Sequence, residues 1–251
     1  MRGLSRRVPG WLILLAIVSL LVLYSLLSSP QRYEETLRLI ASGVLVTLRI
    51  SLTALPISLI IGFVAGLAQT LKGSILPFFS RFYIEVIRGT PLFVTVLYVA
   101  FVLTPMISRL LGIENISEVA RAIIALGLAE GAFMAEDIRA GIESIGRGQM
   151  EAAKSIGMTT AQAMRFVILP QALRNIMPAL GNDFIGLLKD SSLASLIAVR
   201  ELTHLGRISV GLTFDTFTTW NSVTVLYLMM TLSLTAGLAS LERKMRRTAI
   251  A

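Results

Sequence analysis

Six apolar stretches follow one another along the chain, each separated from the next by a polar gap. The first runs without a charge from Trp11 to Leu27. At about 1.5 Å per residue it forms a helix of roughly 26 Å, close to the thickness of a bilayer's hydrocarbon layer. A basic start followed by an apolar core also fits a cleaved signal peptide. The run is long for one, and no small-x-small site precedes Pro30, so a retained helix is expected. Further spans are expected at about 43–70, 90–107, 119–142, 171–199 and 222–241. The pattern therefore predicts an all-α transmembrane bundle of six helices. Residues 1–42 hold the N-terminus, the first helix and an outer linker. Residues 43–242 form the core, and 243–251 are a basic tail.

Polar residues inside these spans mark faces. In the second, Thr47, Ser51 and Ser58 share one helix face, and Gly62 and Gly66 form a GxxxG that permits close helix approach. Before the third, Glu85 and Arg88 lie three apart and can pair, and Gly89 and Pro91 interrupt the helix. The fourth span is unusually acidic. Glu130 and Asp137 are seven apart on one face, while Glu136 points elsewhere. A mid-span carboxylate such as Glu130 is costly unless it faces water or a partner. It is read either as part of a structural ion pair or hydrogen bond inside the bundle, or as a wall of a polar path. In the fifth span, Asn175, Asn182 and Lys189 form one stripe, with Asp183 and Asp190 on the next, and Pro178 and Gly181 are expected to bend or break the helix.

Composition agrees with the spans: 55% of the 251 residues are hydrophobic, 15% are charged, and the mean hydropathy is +0.76. That is too little charge to cover a soluble domain. The net charge of +8 does not indicate nucleic acid, because the basic residues lie scattered between apolar runs without aromatic stacking platforms. They report topology instead. Fifteen of the 23 fall in the gaps on the side of the termini, six in the opposite gaps and two inside spans. The excess places both termini in the cytoplasm. There is no cysteine, so disulfides and thiolate metal sites are excluded, and the single His204 has no partners at metal-ligand spacing.

The same count puts the longest polar gap, residues 143–170, in the cytoplasm. Gln149 to Ile156 are helix formers, Gly157 suits the position after a helix end, and Thr159 with Gln162 fits a capping box. Pro170 then opens the fifth span. Two short helices joined at a glycine make a compact knob, on which Glu151, Ala152 and Ala153 offer one charge and a small surface to a groove.

At these residues the chain resembles permease subunits of ABC importers. Their EAA loop has a glycine three residues after the second alanine, then nine residues, then I-x-L-P. Glu151, Ala152, Ala153 and Gly157 match, followed by Val167, Ile168, Leu169 and Pro170, with Val in place of the first Ile. Further segments are similar to the polar amino acid branch of that family: Arg88, Gly89, Thr90 and Pro91; Ala135, Glu136, Arg139, Gly141 and Ile142; Pro170, Gln171 and Ala172; and Lys189, Asp190, Ser191, Ser192 and Leu193. The resemblance covers about residues 43–240. It implies a five-helix type I importer core with one extra N-terminal helix, in a bacterial inner membrane. It also implies a second permease subunit, identical or homologous, an external solute-binding protein, and two ATPase subunits that grip the loops and bind ATP and Mg. The chain itself has no GxxxxGK[ST] phosphate loop and no catalytic constellation, so it is expected to be neither an enzyme nor a holder of cofactor or metal.

For the substrate, Glu130, helped by Thr47 and Ser51, is expected to face the path and meet an ammonium group, with Asp137 and Asp183 on the same route. Acidic, basic and neutral polar amino acids all carry such a group. The alternative is a self-contained ion-coupled carrier or channel that uses Glu130 and Asp137 as ion sites.

Overall fold

A computed structural model describes residue 24 and residues 27–71, 73–113 and 115–248, with side chains to residue 241. The expected first helix therefore lies outside the described residues for most of its length. The described residues are helical, without a strand. Helix α1 spans Pro30–Gln69, α2 Leu76–Gly89 and α3 Leu92–Leu111. Next come α4 at Glu118–Glu143, α5 at Arg147–Ser155 and α6 at Thr160–Ala163. The chain ends in α7 at Leu169–Asp190, α8 at Leu202–Thr213 and α9 at Thr216–Thr248. A π turn at Val99–Leu103 lies inside α3, another at Met164–Ile168 leads into α7, and a 3-10 segment at Ser191–Ile197 follows α7.

Among the described residues, three helices are long and apolar enough to cross a bilayer on composition alone: α1, α3 and Thr216–Leu241 of α9. The expected fourth and fifth spans fall on α4 and α7, about 39 and 33 Å long, with Glu130 of α4 buried in the bundle. Several boundaries differ from expectation. Helix α1 begins at Pro30, not near Gly43, because proline is pre-organised for the first helical turn. The expected boundary at residues 42 and 43 thus falls inside one continuous helix. Helix α7 continues unbroken through Pro178 and Gly181. Helix α9 starts at Thr216 and carries its backbone into the basic tail.

The centre of the bundle is the pair α1 and α4. A Cβ on Gly127 or Gly131 of α4 would lie 2.8 Å from Ile57 or Ile61 of α1. Reciprocally, a Cβ on Gly62 or Gly66 of α1 would meet Met134 at 2.7 Å or the Ala135 carbonyl at 2.6 Å. The expected close approach at Gly62 and Gly66 is present. The register rises together on both helices, so they run parallel. Helix α7 runs antiparallel to α4 and packs so closely that a Cβ on Gly141 would overlap Ile176 Cγ1. A second apolar cluster, Ile138, Ile142, Ile168, Ala172 and Ile176, seals this seam beside the 143–170 loop.

Candidate functional site: the polar loop and the carboxylate seam

The loop folds as its local sequence dictates. Helix α5 stops at Gly157, whose φ of +86° is the left-handed conformation that glycine adopts without a Cβ clash. The Gly157 amide donates to the Lys154 carbonyl at 2.9 Å and the Met158 amide to the Ala153 carbonyl at 3.1 Å. These two bonds make a Schellman motif. Thr159 Oγ1 then accepts the Gln162 amide at 3.2 Å, and Gln162 Oε1 accepts the Thr159 amide at 2.9 Å. The expected capping box is complete. Pro170 sits in the first turn of α7. Glu151 and Ala152 face outward. Ala153 turns inward with 4% of its surface exposed, so it supports the knob and is not part of its outer face. The side chain that stands out is Ile156, 75% exposed at the helix end, which the sequence reading passed over as one more helix former.

Inside the bundle, α4 and α7 bring four carboxyl groups together. Glu130 faces Asp190 within hydrogen-bonding range, and Asp137 faces Asp183 in the same way. The seven-residue spacing on each helix and their antiparallel run stack the two pairs along one seam. Glu130 is 5% exposed. Facing carboxylates repel unless a positive charge or a shared proton lies between them. Lys189, next to Asp190, is exposed and borders a cavity of about 440 Å³ whose lining is largely apolar, with Val223 and Leu228 beside Thr203 and Tyr227.

Thr47 and Ser51 are not on the seam. Both are fully buried. Thr47 Oγ1 accepts the Leu202 amide at 3.2 Å and approaches Glu201 Oε2 at 3.5 Å, while Ser51 donates to the Thr47 carbonyl at 2.9 Å. The α1–α4 register sets Glu130 level with Ile60 and Ile61, about nine residues and roughly 14 Å from Ser51 along the helix axis. The expected grouping of Thr47 and Ser51 with Glu130 is not what the structure brings together: the Thr47 hydroxyl ties α1 to the start of α8, and the Ser51 hydroxyl bonds within α1.

At the loop end, Arg88 does not pair with Glu85. It approaches Glu136 Oε2 at 4.0 Å, and Arg139 binds both Glu136 and Glu143. Gly89 closes α2, and Pro91 opens the turn into α3.

Residues 58–247 match the family model described as the inner membrane component of binding-protein-dependent transport systems. The chain belongs to this family. Among curated members it is 39% identical over 208 residues to the glutamine transport system permease protein GlnP of Escherichia coli strain K12, covering 83% of this chain and 93% of that protein. It is 35% identical over 187 residues to the probable amino-acid permease protein YxeN of Bacillus subtilis strain 168, covering 74% of this chain and 82% of that one. A solved amino acid ABC transporter, crystallised with histidines, has a chain that superposes with a TM-score of 0.74 at 38% identity, over 82% of this chain and 94% of that chain. Membership in a binding-protein-dependent family leaves the self-contained carrier without support.

Within the inner membrane component, one cluster escaped the sequence reading. Glu201 is fully buried at the start of α8. Its carboxylate accepts the Thr203 amide at 2.9 Å, the His204 amide at 2.8 Å and the Tyr227 hydroxyl at 2.9 Å. Glutamate is a rare N-cap, and its partners Thr47 and Tyr227 are distant in the chain. A buried acidic residue two positions before a backbone amide it satisfies carries no local signature that would have found it.

Proposed function

We propose that this chain is one half of the translocation path of an ATP-driven importer of polar amino acids. It would cross the inner membrane six times, five helices forming the importer core and one preceding it, with both termini in the cytoplasm. A second permease subunit completes the path and an external solute-binding protein delivers the ligand. Two ATPase subunits bind ATP and Mg and receive the 143–170 loops. This chain contributes no cofactor and no ATP-hydrolysing residue. ATP-driven closure of the ATPases moves the loops and switches the bundle between outward and inward access.

One observation supports this reading above the others: the loop that resembles the EAA loop is a compact knob, closed by a Schellman motif and a capping box, between α4 and α7, the two helices that carry the carboxylate seam. Glu151, Ala152 and the exposed Ile156 form its outer face, and Ala153, Gly157 and Pro170 set its shape. The similarity to proteins named as glutamine and amino-acid permeases supports the substrate class. Within it, Glu130, Asp190, Asp137 and Asp183 form the polar route, and Glu130 meets the ammonium group that all amino acids carry. Lys189, exposed beside Asp190, would attract a carboxylate.

The deciding experiment reconstitutes the assembled transporter with its binding protein. Replacing Gly157 by a bulky residue should abolish uptake and binding-protein-stimulated ATP hydrolysis together. If both survive unchanged, the loop is not the coupling element. Replacing Glu130 by Gln should alter uptake or affinity, and unchanged transport would remove it from the route.

A further inference from the structure

The Arg88 segment and helix α2 play no part in the function proposed above, yet their surface is unusual. At 100° per residue, the faces of α2 divide three ways. Ser80, Tyr83, Ile84 and Ile87 pack inward, with Ser80 donating to the Ala65 carbonyl at 2.7 Å and Tyr83 to the Leu128 carbonyl. Phe78, Phe79, Phe82 and Val86 fall within an arc of about 100° and are 66%, 58%, 62% and 48% exposed. Arg81, Glu85 and Arg88 occupy the strip beside that arc. This strip borders a cavity of about 420 Å³ that Gln69, Glu136 and Arg139 close from α1 and α4.

The charges in the cavity are unevenly satisfied. Arg139 has its donors engaged by Glu136 and Glu143. Arg88 touches Glu136 only at 4.0 Å and lies 5.6 Å over the Phe133 ring. Arg81 is exposed and has no carboxylate partner among the described residues. Two guanidinium groups with free donors thus stand at the edge of an aromatic stripe. The stripe lies at the loop end of a bundle that belongs to a membrane family. A water-exposed row of three phenylalanines would be costly, whereas aromatic side chains at the level of lipid headgroups are favoured. A guanidinium pair recognises a phosphate with directed, charge-assisted hydrogen bonds.

We propose that α2 lies in the headgroup layer of the bilayer and that the Arg81–Arg88 cleft binds the phosphate of an anionic phospholipid. The lipid's acyl chains run along Phe78, Phe82 and Val86. The negative charge offsets the unpaired Arg81 and frees Arg88 from its long contact with Glu136. Only the lipid, and not a soluble phosphate, uses both the basic strip and the aromatic stripe.

The test uses the full chain in its assembled transporter. Purified complex in phosphatidylcholine nanodiscs is compared with complex in discs containing phosphatidylglycerol, and retained lipid is counted by native mass spectrometry after transfer to detergent. Wild type should retain phosphatidylglycerol in preference to phosphatidylcholine. Arg81→Ala, which removes no observed contact, should lower that retention about five-fold, and Arg81→Ala with Arg88→Gln further. Equal retention of the two lipids, or retention unchanged in both variants, would overturn the proposal. Displacement of the lipid by millimolar inorganic phosphate would reassign the site to a soluble anion. Because the chain has no cysteine, Phe82→Cys can carry a single spin label. The label should be relaxed by lipid-soluble oxygen and shielded from a water-soluble nickel chelate. Shielding from both would place α2 against another subunit and sink the lipid assignment. This outcome is independent of which substrate the transporter carries.

Discussion

The Tyr227 hydroxyl of α9 donates to Glu201 Oε2 at 2.9 Å, and the same carboxylate closes the first turn of α8 through two backbone amides. One buried side chain therefore ties three helices together, since Thr47 of α1 joins at Glu201 and Leu202. Tyr227→Phe removes a single hydrogen bond and should cost about 1 kcal/mol of stability. Glu201→Ala leaves the Thr203 and His204 amides without their acceptor and should cost about 3 kcal/mol or more. Thermal unfolding of the purified complex in detergent measures both. Equal midpoints for the two variants would show that the cap is not the central element.

Gly157 and Gly141 are glycines for different reasons, and substitutions separate them. No atom lies near a Cβ built on Gly157, so its requirement is the left-handed φ. Gly157→Asn should therefore retain most transport, while Gly157→Val, at a cost of about 1–2 kcal/mol or more in local strain, should not. Uptake measured side by side in the two variants decides the point.

At Gly141 the constraint is space. Gly141→Ala should destabilise the α4–α7 seam by about 1–3 kcal/mol, and Ile176→Ala, which removes the clashing Cγ1, should make the double variant lose less than the sum of the two single losses. Unfolding midpoints of the single and double variants test it. Additive losses would mean that the two residues do not press on each other.

Asp215, just before α9, accepts the Thr218 amide at 3.0 Å and the Thr218 hydroxyl at 2.8 Å. The Thr218 amide, more than any other neighbour, holds the Asp215 carboxyl below the usual carboxylate range. A depressed folded-state pKa means that this cap stabilises above the unfolded value, near 4, and is lost as pH falls below it. Asp215→Ala should cost about 1 kcal/mol at neutral pH, and that cost should shrink as pH falls through the depressed folded-state pKa. A pH series of unfolding midpoints for wild type and variant should converge on the acid side.

Local signals were read correctly from the sequence, because their physics is local. Gly157, the Thr159–Gln162 box and Pro170 each act within a few residues, and each stands where its spacing indicated. The face shared by Glu130 and Asp137 was legible for the same reason: helix periodicity alone sets it. What could not be read was which helix each face meets. Arg88 had a plausible neighbour three residues away in Glu85, yet it reaches Glu136 on α4, with the whole of α3 between them in the chain. Thr47 and Ser51 have the composition of a pore wall and serve as packing. Hydroxyls that bond to their own helix or to a neighbouring cap look the same in sequence as those facing water.

Interlocked glycines and isoleucines join α1 to α4 over more than two turns, from Gly127 against Ile57 to Gly66 against Ile138. Knobs seated this deep leave no room for one helix to slide or roll on the other. On the function proposed above, a push received at the loop would enter a stiff two-helix beam, and its displacement would emerge elsewhere, along the carboxyl-lined joint with α7 or at the Glu201 knot. The transporter's moving parts would then be defined by where its backbones are not in contact. Spin labels placed on α1 and α4 would keep one separation through the whole cycle while labels on α4 and α7 changed theirs.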